Sequence, residues 1–74
     1  MRIANVSYRI VKTGVVMEAV LTIHAPSGWI GFGIASAPIA KYAELEQECI
    51  ETAADILGRR GEEYDTIEIE QDKS

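Results

Sequence analysis

The chain has 74 residues, with twelve acids against seven bases for a formal net charge of -5. So short a chain makes one domain, and a core of that size makes homo-oligomerisation an expectation. The acidic balance excludes non-specific attraction to duplex nucleic acid or to an anionic membrane surface, and points instead to a basic protein partner.

The first predicted element runs from Arg2 to Lys12. Its even positions Ala4, Val6, Tyr8 and Ile10 are apolar, and Asn5, Ser7 and Arg9 interrupt the odd ones. That alternation is a strand with one buried face. Thr13-Gly14 reads as a two-residue hairpin turn, the glycine taking a positive φ. A second strand, Val15 to Ala25, buries its odd positions Val15, Met17, Ala19, Leu21 and Ile23. The turn pairs Lys12 with Val15, so that Ile10 faces Met17, Tyr8 faces Ala19 and Val6 faces Leu21. Arg9 stands opposite Glu18 on the other face.

Ala25-Pro26-Ser27-Gly28 is read as a second tight turn, with Pro preset for its first central position. If Ala25 pairs with Gly28, Ile23 meets Ile30, Leu21 meets Phe32 and Ala19 meets Ile34, completing a three-stranded antiparallel meander. A helix is predicted from about Ala37, with Ser36 as N-cap and Pro38 in the first turn. Its buried stripe is Ile39, Tyr42, Leu45, Cys49, Ala53, Ile56 and Leu57, and it ends through Arg59, Arg60 and Gly61. Asp65 to Glu70 alternates again as a short fourth strand, running parallel to a neighbour in its own sheet or pairing with another subunit. The expected fold is α+β in the order β-β-β-α-β, one domain over residues 1–70 with a flexible tail at 71–74.

From Val11 to Leu57, two long strands, the Gly31-Phe32-Gly33 strand, a short Ala/Pro-containing link and an amphipathic helix follow one another. This order resembles the N-terminal domain of small-subunit ribosomal protein five. The resemblance implies a double-stranded-RNA-binding-like fold and an RNA-binding module. In that family lysines and arginines around the GxG strand and the helix start meet RNA. The matching stretch here, Ile34-Ala35-Ser36-Ala37-Pro38, carries no charge.

Three sets of residues are candidate sites. Glu44, Glu48, Glu51 and Asp55 form an acidic stripe at helical spacing, suited to docking a basic partner. Trp29 and His24, with Ile3, Val11, Val16 and Val20, are placed on the sheet's outer face as an apolar contact surface. Trp29, Gly31, Gly33 and Ser36 form a possible anion or nucleotide site, with Trp29 stacking on a base and the helix start receiving phosphate. The glycines read in the first place as room on the outer face for a neighbouring side chain or chain. No nucleophile has a base and an orienting partner, His24 has no second ligand at metal spacing, and the lone Cys49 makes neither a disulfide nor a zinc site. No leader and no apolar run of membrane-spanning length are found.

The function expected from these features is that of a small, cytoplasmic, non-enzymatic binding protein without cofactor or metal. A compact acidic chain of this kind suits a phage or mobile-element inhibitor of host machinery. The alternatives are an oligomeric nucleotide-binding or sequestering protein and the RNA-binding module that the resemblance implies.

Overall fold

A computed structural model of the chain describes residues 1–72, apart from the side chains of Lys12 and Thr13. It contains β1 (Ile3–Thr13), β2 (Val16–His24), β3 (Ile30–Pro38), a 3₁₀ segment (Ile39–Glu44), α1 (Leu45–Arg60) and β4 (Thr66–Gln71). The strands form one sheet in the order β3-β2-β1-β4. The meander is antiparallel, and β4 returns parallel to β1 after the helical crossover, Val6 facing Ile69. The α+β fold with β-β-β-α-β order is therefore the one predicted, and the fourth strand pairs within its own subunit.

The first hairpin differs from expectation in register. Thr13 pairs with Val16 and Ile10 with Ala19, so the loop is Gly14-Val15 rather than Thr13-Gly14. Gly14 has φ 63°, and no residue other than glycine has positive φ among the described residues. A Thr13-Gly14 loop of the I′ kind needs positive φ at the threonine as well, whereas Gly14-Val15 needs it only at the glycine. Relative to the predicted pairing the slip is two residues, an even number, so every side chain keeps its face. Ala4, Val6, Tyr8, Met17, Ala19, Leu21 and Ile23 are all buried beneath the helix. Val15, counted among the buried residues, lies in the turn and is exposed. Arg9 stands opposite Val20, and Glu18 opposite Val11, in place of the expected Arg9–Glu18 pair.

The second hairpin is off by one residue, and this has the larger consequence. Gly28 N–H donates to Ala25 O at 3.0 Å and Ala25 N–H to Trp29 O at 2.9 Å, so the loop holds three residues, Pro26-Ser27-Gly28. Gly28 supplies the left-handed residue, φ 100°, that closes such a loop. Ile23 then meets Gly31, Leu21 meets Gly33 and Ala19 meets Ala35. An odd slip turns the strand over. Gly31, Gly33, Ala35 and Ala37 face the helix, and Ile30, Phe32 and Ile34 face away from it.

Strand β3 also runs further than predicted. Ser36 and Pro38 lie in it, opposite Glu18 and Val16, so Ser36 is no N-cap and the helix does not start at Ala37. The ladder continues to Ile39, whose N–H donates to Val15 O at 3.0 Å. The chain then turns through the 3₁₀ segment, kinked at Lys41 (φ -117°, ψ 41°), before α1 begins at Leu45. Ile39 and Tyr42, placed in the buried stripe by spacing, are exposed there. From Leu45 on the stripe holds: Leu45, Cys49, Ala53 and Leu57 are buried and Ile56 packs at their margin. Gly61, left-handed at φ 78°, ends the helix as predicted, with Gly61 N–H on Gly58 O and Glu62 N–H on Leu57 O. These two bonds are the Schellman pattern.

Small residues on β3 let α1 lie close over β2 and β3. Ile67, Ile69 and Tyr64 extend the core beside it. Gln71, expected in a tail, closes β4, and Asp72 N–H donates to Tyr8 O at 2.7 Å. Lys73 and Ser74, the rest of that expected tail, lie outside the described residues. Among the described residues no helix is long and apolar enough to cross a membrane.

Candidate docking face

The sheet is covered by the helix on one side only. On the open side the register lays residues out in rows from β3 to β4. Ile34, Val20 and Arg9 share one row; Phe32, Thr22, Ser7 and Glu70 share the next; Ile30, His24, Asn5 and Glu68 share the third. Each row runs from a large apolar side chain on β3 to a polar or charged one on β1 or β4. Phe32 is 71 % exposed, Ile34 62 % and Ile30 50 %. Val20 extends the apolar strip beside Ile34, and Val16 lies beyond the next row, which holds Ser36, Glu18 and Val11. Toward β4, Asn5, Ser7, His24, Glu68 and Glu70 line a shallow basin. The face thus has an apolar half and an acidic half with Arg9 and His24 between them. Single exposed hydrophobic side chains are ordinary, but a contiguous strip on a sheet face is the pattern of a contact surface.

The sequence-predicted site residues distribute unevenly over this geometry. His24, Val11, Val16 and Val20 are on the open face as expected. Trp29 is not. It lies on the helix side, its ring over Gly31, with the Arg60 guanidinium carbon 5.0 Å from the ring centroid. A Cβ at Gly31 would come within 2.2 Å of that ring, and one at Gly33 within 2.6 Å of Ile56 Cδ1. The two glycines therefore make room on the inner face, for Trp29 and Ile56, and not on the outer face. Ser36 sits exposed on the outer side of a strand. The proposed anion or nucleotide set of Trp29, Gly31, Gly33 and Ser36 is accordingly divided between two faces, with no helix N-terminus beside it.

Glu44, Glu48, Glu51 and Asp55 are all exposed, and Glu44 belongs to the 3₁₀ segment just before α1. Asp55 Oδ2 accepts from Arg59 Nε at 3.0 Å. At the far end, Arg2 N–H donates to Asp65 Oδ2 at 2.7 Å, Arg2 pairs with Glu63, and Ser27 Oγ donates to Glu62. These exposed links tie the termini of the elements together and add little stability individually. No group of His, Cys, Asp and Glu able to hold a metal occurs among the described residues.

The residues that sequence reasoning missed are Ile30, Phe32 and Ile34. The signal was available in the turn. Gly at the third loop position after Pro26-Ser27 is the mark of a three-residue hairpin loop, which reverses the facing of everything after it.

One cluster on the inner face titrates abnormally. Burial, reinforced by Glu46 and Glu48, pushes the Cys49 thiol from its ordinary 9.0 up to about 11. Burial, with Glu46, Cys49 and Tyr42, raises the Tyr8 phenol as well. Both groups hold their protons more tightly folded than unfolded. The Cys49 contribution to stability is complete below pH 9 and is lost as pH rises from about 9 through about 11, at up to roughly 1.4 kcal/mol per pH unit; that of Tyr8 is complete below pH 10 and is lost above it. Urea denaturation at pH 8 and pH 10.5 should show this loss, and Cys49→Ala should flatten it. An unchanged slope in the variant would place the titrating group elsewhere.

A comparison of the chain with protein families, curated proteins and solved structures finds no match.

Proposed function

We propose that the protein is a non-enzymatic interaction module that docks on a protein partner through the open face of its sheet. The observation that carries this reading is the outward facing of Ile30, Phe32 and Ile34 on a strand with no charged residue. A water-exposed strip of this kind is unfavourable in isolation, and burial against a partner recovers about 25 cal/mol for each Å² removed from water. The acidic half of the same face, with Glu68 and Glu70, states the partner's chemistry: an apolar patch flanked by Lys or Arg. The flanking charge speeds encounter and sets orientation, while the apolar half holds the complex. An inhibitor that works by occupying a partner's surface needs nothing more.

A photo-crosslinking residue at position 32 tests this against the acidic helix. In the cells that make the protein, position 32 should give a discrete protein adduct and position 51 should not. Adducts from position 51 alone would move the site to the acidic stripe of α1. Adducts from neither, together with a nucleotide retained in native mass spectrometry, would favour a small-molecule binder.

A further inference from the structure

The open edge of β3 is a second feature, separate from the face. The bonds Ala25 N–H to Trp29 O and Ile39 N–H to Val15 O fix the phase of the β2–β3 ladder. Antiparallel pairs alternate between residues that exchange both backbone bonds and residues that exchange none. Gly31, Gly33, Ala35 and Ala37 therefore bond to β2, and the N–H and C=O groups of Ile30, Phe32, Ile34 and Ser36 point out from the edge of the sheet. Pro38, which has no N–H, occupies the next outward position and ends the set.

Edge strands are normally blunted by charge, shortness or a bulge. The β4 edge follows that rule, being six residues long with Glu68 and Glu70. Strand β3 does not. It is nine residues long and pairs with β2 without a bulge, and no charged residue occurs between His24 and Lys41.

We propose that this edge is covered by the same edge of a second copy, the two β3 strands running antiparallel about a two-fold axis through Gly33. Phe32 then pairs with Ile34 of the other copy, and Ile30 with Ser36, each pair exchanging both backbone bonds. That register uses every outward donor from Ile30 to Ser36 and stops before Pro38. On the open face it brings Phe32 and Ile34 of both copies into one apolar cluster. On the helix side it sets Gly33 against Gly33 and Gly31 against Ala35, so neither strand presents a bulky side chain of its own there.

The match of outward donors to outward acceptors about one axis selects a second copy, and charge leaves this edge as the place where two copies can meet. At a net charge of -5, two copies repel across most of their surface, and the uncharged β3 edge lets them meet with the fewest like charges between them. The net charge of each copy still opposes the pair at long range. Added salt therefore strengthens this association, whereas it weakens binding to a basic partner. The pairing uses the backbone edge of β3 and the docking reading its outward side chains, so a Ser36 variant can abolish the first while leaving Ile30, Phe32 and Ile34 in place. It would present two docking faces side by side on one continuous sheet.

Sedimentation equilibrium of the full chain should give a concentration-dependent mass reaching twice 8.1 kDa, with tighter association in high salt. Ser36→Pro removes one outward N–H without touching the β2 ladder, and Ser36→Lys places a charge on the edge. Both should be monomeric with unchanged far-ultraviolet circular dichroism. Should Ser36→Pro fail to fold, Ser36→Lys decides alone, since it alters an exposed side chain. In a mixture of Phe32→Cys and Ile34→Cys chains, oxidation should link the two variants to each other in preference to themselves. A wild-type chain that stays monomeric at every concentration overturns the proposal. So does a dimer that survives both Ser36 variants, which would place the contact on the open face or on another edge.

Discussion

Leu21→Ala is expected to destabilise the protein by about 2–5 kcal/mol, which for a domain of this size lowers Tm by roughly 10–30 °C. Leu21 is fully buried on β2, between Tyr8 of β1 and Gly33 of β3 in its row. Its Cδ1 lies 3.9 Å from where a Cβ on Gly33 would be. Ile56, whose Cδ1 also lies over Gly33, can relax part-way into the space, so the cost falls within that range rather than at its top. Phe32→Ala on the adjoining strand is the control. Phe32 is 71 % exposed, so its truncation should leave stability within about 0.5 kcal/mol. Were Phe32 packed against Leu21, as a two-residue turn at Pro26-Ser27 implies, the same substitution would cost about 3–5 kcal/mol. Thermal or urea denaturation of the two variants thus tests both the core and the facing of β3. A larger loss for Phe32→Ala than for Leu21→Ala would contradict the pairing of Leu21 with Gly33.

Gly31→Ala is expected to cost about 1–3 kcal/mol and to expel the tryptophan ring from its site. The added Cβ would stand 2.2 Å from Trp29 Cη2, 2.7 Å from Cζ3 and 2.9 Å from Cζ2. Those atoms belong to a rigid ring, so the whole side chain must move, losing its contact with the core and with Arg60. Trp29 is the only tryptophan, and its emission should shift to the red as the ring enters water. Gly33→Ala gives the contrast. Its Cβ meets Ile56 Cδ1, the mobile end of a flexible side chain, at 2.6 Å, and a change of rotamer relieves most of the overlap. That variant should keep the emission of the parent chain. An unshifted spectrum in Gly31→Ala would mean that Trp29 does not lie over the strand.

The element order, the buried face of β1 and β2 and the helix stripe from Leu45 to Leu57 are all legible in the residues. They follow from two periods, two residues for strands and about 3.6 for the helix, and those periods survive an error in the turn whenever the slip is even. The first hairpin shows this: its register moved by two residues and its core kept its membership. The acidic stripe was legible for the same reason, since helical spacing alone puts Glu48, Glu51 and Asp55 on one exposed side.

What needed the tertiary structure was the choice of face in β3, and with it the candidate site. Alternate positions of that strand read Ile30, Phe32, Ile34 on one side and Gly31, Gly33, Ala35, Ala37 on the other. Hydrophobicity by itself selects the larger set for the core. The Pro26-Ser27-Gly28 loop makes the opposite choice, and the helix accepts it, because Ile56 and the ring of Trp29 fill the space that the glycines leave open. The same packing decides where the helix starts: β3 stays bonded to β2 through Pro38 and Ile39, so the Ser-Ala-Pro segment that looks like a helix start remains in the sheet. Residue periodicity says which side chains share a face. Which face is buried depends on the volume available beneath a helix distant in sequence, and only the folded arrangement determines that volume.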